Sequence, residues 1–254
     1  MKALILAAGL GSRLEDKTSK CPKALIKVKG RPILYYQLSN LLQVGIRDII
    51  IVVGYKGEMI KEYVSNNFLR ANIIYIENDL YSKSNSSFSF WKAKNHVMGG
   101  PYIHLNCDIL FSQSLLLSII QSNYSNVFAV RKDLLLDNGM ENVTLRVDKI
   151  IHMSLNKTPD SICKAFGLAK FSKKSTELVI KTLQSYLDKG DKNQNYYGII
   201  RQTLKTIDYR VCITNKNNLQ EINTISDLER VKKFSNKSML FITRGLEKKK
   251  WHLE

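Results

Sequence analysis

A glycine turn and two cations near the N-terminus are the residues best suited to chemistry. The apolar run that starts at Lys2 leads into Ala7-Ala8-Gly9-Leu10-Gly11-Ser12-Arg13. Small residues let main-chain N–H groups approach an anion closely, and glycine takes positive φ at no steric cost. The turn is neither of the two commonest glycine loops. Walker A needs Gly-Lys-Ser/Thr, and here Gly11 is followed by Ser12-Arg13; the dinucleotide fingerprint needs a third glycine where Leu14 stands. Instead the loop holds Arg13, and Lys23 follows Pro22, whose ring stiffens the backbone that presents it. An arginine fork and a lysine point charge are the partners a polyphosphate needs as charge builds on its oxygens. Arg13 and Lys23 are therefore the candidate catalytic residues.

Asp108 is the candidate metal ligand. It follows the strand read over Tyr102–Cys107, so its carboxylate would emerge at the same sheet edge as the glycine loop. Mg²⁺ prefers one or two carboxylates together with phosphate oxygens and water. The four histidines show no metal-ligand spacing and read as ordinary surface or core residues.

The elements that must position these residues are legible as apolar runs. Lys2–Ala7, Asp48–Val53, Asn72–Ile76 and Tyr102–Leu105 do not alternate with polar residues, so they read as strands buried on both faces. Helical spacing over Pro32–Val44, Lys56–Ser65 and Ser87–Val97 separates them, which implies parallel strands joined by right-handed crossovers. The fold class is α/β: a doubly wound, mostly parallel, Rossmann-like sheet with a mixed β extension. The extension reads as strands at Val127–Arg131, Val143–Val147, Ile150–Met153 and Cys163–Phe171. Helices Ser175–Asp188 and Tyr196–Lys205 follow, then a strand pair Tyr209–Ile213 and Leu219–Ile222 and a closing helix Ile225–Phe234. An Asp148-Lys149 turn would join the middle two strands as a hairpin. No linker rich in Gly, Pro or Ser divides the chain. Residues 1–235 read as one domain, with a nucleotide-binding half (1–125), an acceptor-binding half (126–235) and a basic tail at 236–254.

Charge narrows the partners. The chain has 254 residues, 39 Lys+Arg and 22 Asp+Glu, a net charge of +17. Both ends are basic and the body is nearly neutral, unlike a uniform duplex-binding surface. With no helix-turn-helix, zinc or RNP-type signature, nucleic acid is not expected as a partner. No stretch approaches the ~20 apolar residues of a membrane span, and Lys2–Ala8 reads as strand and turn rather than a signal peptide. The four cysteines lack CxxC spacing, which suggests reduced thiols and a cytoplasmic protein.

The string from Gly9 to Arg13, followed nine residues later by Pro22-Lys23, resembles the signature of the nucleotidyltransferases that make nucleoside-diphosphate sugars and alcohols. Within them the chain is most similar to the CTP-using branch typified by bacterial phosphocholine cytidylyltransferase. The ordered segments Asp48–Tyr55, Asn78–Ser89, Asn106–Phe111 and Glu221–Val231 carry that resemblance over roughly residues 1–235. It implies a cytidylyltransferase that moves CMP from CTP to a small phosphorylated acceptor with Mg²⁺. Ala7, Ala8, Gly9, Leu10, Gly11 and Ser12 would wrap base and triphosphate with main-chain groups, while Tyr81, Asn85 and Ser86 would close over cytosine and ribose. Arg13 would stabilise the leaving pyrophosphate, Lys23 would hold the α-phosphate and acceptor, and Asp108 would be the principal metal ligand. The chain departs from the family at the second ligand, where Glu-Ile-Asp is Glu221-Ile222-Asn223. An amide carbonyl can coordinate Mg²⁺ without contributing charge; positions two apart on a strand face the same way, so Glu221 and Asn223 share one side, and Glu221 would join the metal site directly or through water.

The acceptor should lie over Phe166–Lys170 and Asn195–Tyr197. The stretch Tyr196-Tyr197-Gly198-Ile199 lacks the acidic residues usual there in the branch, and Trp91 and Trp251 are poorly placed for a choline box. A site with few acids suits an acceptor bearing its own carboxylate. Resemblance to the members of this branch that serve capsule phosphoramidate synthesis implies L-glutamine phosphate as the acceptor, giving CDP-L-glutamine. Phosphocholine, 2-aminoethylphosphonate, or a nucleotide-binding regulator weakened at Asn223 remain alternatives.

Overall fold

Continuous apolar runs become strands packed on both faces, as their lack of alternation predicts. The computed structural model describes residues 1–14 and 16–233. Its first half comprises β1 (Lys2–Ala7), α1 (Asp16–Lys20), β2 (Lys27–Val28), β3 (Arg31–Pro32), α2 (Ile33–Gln43), β4 (Asp48–Val53), α3 (Gly57–Asn67), β5 (Asn72–Glu77), α4 (Ser86–Val97) and β6 (Tyr102–Asn106). There follow β7 (Ile109–Phe111), α5 (Gln113–Gln121), β8 (Val127–Arg131), β9 (Asn142–Arg146), β10 (Lys149–Ser154) and β11 (Cys163–Phe171). The chain continues through α6 (Lys173–Leu187), α7 (Tyr196–Thr203), β12 (Arg210–Thr214), β13 (Leu219–Glu221) and α8 (Ile225–Lys233).

A nine-stranded sheet of order β5-β4-β1-β6-β11-β8-β12-β10-β9 takes strands from both halves. β1 lies between parallel β4 and β6. Ala3, Ile5 and Ala7 enter the core on one side of the sheet, Leu4, Leu6 and Ala8 the core on the other. β11 joins antiparallel to β6 and β8 and begins the mixed extension. Its register against β8 slips between Ala165 and Ala169, a bulge that re-aims the backbone beside the cleft.

Three expectations change. β5 is the edge strand, so one flank has no neighbour and Ile74 is exposed rather than buried on both faces. Residues 209–213 and 219–222 do not pair with each other. β12 runs parallel to β8, and β13 pairs antiparallel with β7 in a separate two-stranded sheet, because each finds an apolar partner elsewhere. The β9–β10 hairpin turns at Val147-Asp148, one residue earlier than expected, with Val147 at φ 59°. Sequence reading also assigns no element to α5, whose apolar face (Leu115, Leu116, Ile119) is capped by Ser112 Oγ accepting from Leu115 N. Among the described residues, no helix is long and apolar enough to cross a membrane. The four cysteines are free. Phe234, Trp251 and the basic tail at 236–254 lie outside the described residues.

Candidate active site

The glycine turn leaves the carboxyl end of β1, the edge at which open α/β sheets bind ligands. Gly11 has φ +68°, and a Cβ there would meet Thr18 Cγ2 at 2.9 Å and Lys23 Cβ at 3.2 Å. Backbone conformation and space both require glycine here. Behind the turn, Tyr55 N donates to Ala8 O at 3.0 Å. A Cβ on Gly54 would strike that same Ala8 O at 2.8 Å, so the β4 end closes tightly against the loop.

The turn opens onto a cavity of ≈320 Å³ lined by Ala8, Gly9, Gly11, Ser12, Arg13 and Lys23 from the N-terminal segment. Tyr81, Asn85, Ser86, Asn106, Asp108 and Asn223 complete its wall. Two residues of the motif do not line it with their side chains. Ala7 sends its side chain into the core because it is still within β1, and Leu10 points outward at 42 % exposure. The 78–89 segment is held by buried Asn78, whose Nδ2 donates to Ser84 Oγ and Ser89 Oγ. Ser86 Oγ accepts from Tyr196 N at 2.8 Å, tying this wall to α7.

The polar centre joins three segments. Lys23 Nζ lies 2.7 Å from Asp108 Oδ2 and 2.8 Å from Asn223 Oδ1, and Arg13 Nη2 donates to the same Asn223 oxygen at 3.2 Å. Asp108 Oδ1 is buried without a hydrogen-bond partner. Ile222 N donates to Asp108 O, which brings the segment after β13 to the end of β6. That strand stops at Glu221, so alternation does not extend to Asn223. Ile222 nevertheless sits in the core while its two neighbours line the cleft. Glu221 Oε2 is 2.5 Å from Lys164 Nζ. Burial pushes the Glu221 carboxyl upward, and the lysine acts against that rise. Burial also lifts the neighbouring Cys107 thiol to about 12. Among the described residues no group of three or more His, Cys, Asp or Glu converges as a metal cluster.

A second, larger cavity of ≈960 Å³ adjoins the first and shares Arg13, Asn85, Ser86, Asn106, Asp108 and Asn223 with it. Phe166, Gly167, Asn195, Tyr196 and Tyr197, which sequence reading groups together, all line it. Leu168 and Ala169 are core residues, and Lys170 turns away to donate to Ile120 O and Ser122 O. The expectation of few acids is also corrected, since Asp133, Glu141, Glu221 and Asp227 line the cavity from other elements. Each is paired: with Arg131, Arg201, Lys164 and Arg230 respectively. Such pairs across distant segments leave no local spacing signal, which is why Lys164 and Glu141 escape sequence reasoning. Gly54 and Asn78 lie within segments Asp48–Tyr55 and Asn78–Ser89, where the resemblance could have singled them out.

Residues 2–181 match the family described as Nucleotidyl transferase. The chain is 27% identical over 232 residues to choline-phosphate cytidylyltransferase of Streptococcus pneumoniae, covering 91% of this chain and 96% of the relative. It is 26% identical over 251 residues to CTP:phosphoglutamine cytidylyltransferase of Campylobacter jejuni, covering 90% and 98%. Among solved structures, CTP:phosphocholine cytidylyltransferase from Streptococcus pneumoniae superposes with a TM-score of 0.76 at 23% identity, covering 91% and 97%. The inositol-1-phosphate CTP transferase from T. maritima gives 0.77 at 21% identity, covering 94% of each chain. Fold, site and family match agree: the chain belongs to the nucleotidyl transferase family.

Proposed function

We propose that the protein is a Mg²⁺-dependent cytidylyltransferase that moves CMP from CTP to a small phosphorylated acceptor and releases pyrophosphate. The observation that carries this reading is the convergence of Arg13, Lys23, Asp108 and Asn223 at the mouth of the glycine turn. The main chain from Ala8 to Ser12 wraps base and triphosphate, and Tyr81, Asn85 and Ser86 close over cytosine and ribose. An oxygen of the acceptor's phosphate attacks the α-phosphorus of CTP, and the bond to the bridging oxygen breaks so that pyrophosphate leaves with the electron pair. That phosphate carries about −1.5 to −2 charge at pH 7, so no general base is required. Lys23 holds the α-phosphate, and Arg13 offsets charge building on the leaving group.

Asp108 and Asn223 fit a magnesium site. One carboxylate and one amide carbonyl suit an ion that keeps most of its waters, and the unpartnered Asp108 Oδ1 is an oxygen open to a cation. Bound Mg²⁺ would supply charge neutralisation and a template for phosphate oxygens. Glu221, held by Lys164, would act through water.

For the acceptor we favour L-glutamine phosphate, with CDP-L-glutamine as product. Similarity to the Campylobacter jejuni enzyme supports it. So do the buried aromatics of the second cavity: Phe166, Tyr196 and Tyr197 are at most 6 % exposed, leaving little ring face for a quaternary ammonium. Arg13 and Lys216 face this cavity without a carboxylate partner among the described residues. Similarity to the Streptococcus pneumoniae enzyme favours phosphocholine instead. The test is CTP and Mg²⁺ with L-glutamine phosphate, phosphocholine and 2-aminoethylphosphonate, reading pyrophosphate release and product mass. CTP binding without turnover on any acceptor would point to a nucleotide-binding regulator.

A further inference from the structure

Asn106 closes β6 at the boundary between the two cavities and lines both. We propose that Asn106 is a further catalytic residue whose Nδ2 amide donates to a phosphoryl oxygen where the two substrates meet, and that His104 is a positioning residue that fixes the direction of this amide. The proposal rests on the nucleotidyl-transfer reading above for the identity of the phosphoryl group.

The orientation of the amide follows from its neighbours. Asn106 Oδ1 lies 3.2 Å from His104 Nε2, while Nδ2 has no protein partner among the described residues. His104 is fully buried and stacks on Tyr196 at 4.4 Å with 13° between the ring planes. Its Nδ1 has no partner. If Nε2 accepted, Nδ1 would carry a buried N–H with nothing to receive it. If Nε2–H donates, only an acceptor lone pair is left over, which folded proteins tolerate better. The second arrangement therefore holds, and it commits Oδ1 to the histidine and turns Nδ2 away from it. Burial keeps the imidazole neutral, with its pKa lowered to about 4, so the single-donor tautomer persists at physiological pH.

Tyr196 is itself fixed, since its hydroxyl lies 2.7 Å from Tyr102 OH and its N–H is held by Ser86 Oγ. The amide also has a floor. A Cβ on Gly167 would come within 2.5 Å of both Asn106 Cγ and Nδ2, so the side chain lies flat on this glycine, where β11 bulges. Glycine is needed there to seat the amide. The result is a neutral donor held by a rigid aromatic wall, two residues before Asp108. A donor aimed at phosphoryl oxygens stabilises charge as it accumulates, without reorganising.

The test compares wild type with Asn106→Ala, Asn106→Ser, His104→Phe and His104→Gln, using calorimetric CTP binding, steady-state turnover and thermal melts. Loss of the Asn106 amide is expected to lower kcat about 100-fold. His104→Phe keeps a ring against Tyr196 but removes the donor, and is expected to lower kcat about tenfold with CTP affinity less affected. His104→Gln, whose amide can donate to Asn106 Oδ1, should restore most of that loss, which a purely structural role for the ring would not predict. A weaker CTP Kd in the Asn106 variants assigns the contact to the nucleotide. A change in kcat or acceptor KM at unchanged CTP Kd assigns it to the acceptor phosphate. Variants that turn over and bind CTP like wild type overturn the proposal. Should wild type itself fail to turn over, the transfer reading fails, and calorimetry alone decides Asn106: unchanged CTP affinity in Asn106→Ser sinks it, and a loss of about tenfold supports it.

Discussion

Lys23 Nζ sits 2.7 Å from Asp108 Oδ2, so one ammonium holds the carboxylate at the end of β6 against the loop that leaves β1. Both side chains are largely buried, at 10 % and 16 % exposure. Removing one partner of such a pair strands the other charge, which typically costs about 3–5 kcal/mol. Lys23→Met is therefore expected to lose about 3 kcal/mol in denaturant melts. Part of that loss should return on adding Mg²⁺, because a cation beside Asp108 replaces the missing charge. Turnover should fall by about 100-fold or more, since the lysine is also the α-phosphate partner. A variant with wild-type stability and turnover would refute the assignment.

Gly11→Ala tests the turn itself. At φ +68° an alanine costs about 1–2 kcal/mol, and its methyl group would press on Thr18 and Lys23. Displacing Lys23 should harm the site beyond the fold. A CTP affinity loss of about tenfold with a melting point only a few degrees lower is the expected pattern. Gly9→Ala meets nothing within 4 Å of the added carbon and serves as the milder control.

The parts of this site that sequence reveals are those built from neighbours in the chain. Gly11, Arg13 and Lys23 lie within one short segment, and their chemistry is visible in their spacing. An aspartate after a buried strand is common, and Asp108 was legible because it falls in the ordered set of segments that carry the family resemblance. What escaped reading is made by contacts between distant segments: Lys164 with Glu221 across two strands, Glu141 with Arg201, and His104 beneath Asn106. Ala7 can offer the turn only its main chain. It belongs to the motif string, but strand alternation sends its side chain to the core. The pairing of β13 with β7 was likewise invisible, because apolar pattern fixes which residues are buried and not which strand lies beside them.

His104 makes acid stability a readout of burial. Its pKa is about 4 in the fold against an ordinary value near 6.5. Above pH 6.5 it is neutral in both states and contributes no pH dependence. As pH falls from 6.5 towards 4 the unfolded chain binds the proton first, so stability declines by about 1.4 kcal/mol per unit, up to about 3 kcal/mol. Urea melts should show His104→Phe losing less stability than wild type over that window. Parallel curves would contradict the assignment.

Val147 holds the β9–β10 turn at φ 59° while 90 % exposed, an arrangement unfavourable for a β-branched residue. Asparagine tolerates this region. Val147→Asn is expected to stabilise the protein by about 1 kcal/mol, with activity unchanged because the turn touches neither cavity. Thermal melts check it, and an unchanged or lower midpoint would show that the strain is absorbed elsewhere.

Asn223→Asp addresses the metal. The Asn223 oxygen already receives Lys23 and Arg13, so a carboxylate would fit without moving either cation. It would add one negative charge beside Asp108 and bring the donor set to two carboxylates, which Mg²⁺ accommodates. The half-saturating Mg²⁺ concentration should therefore fall severalfold. Tighter metal binding does not guarantee faster transfer, because the same charge draws Lys23 and Arg13 away from the phosphates. The expected kinetic pattern is a lower Mg²⁺ requirement with kcat equal to or below wild type. An unchanged Mg²⁺ requirement would place the ion away from Asn223, with Asp108 and Glu221 as the pair to examine next by Glu221→Gln.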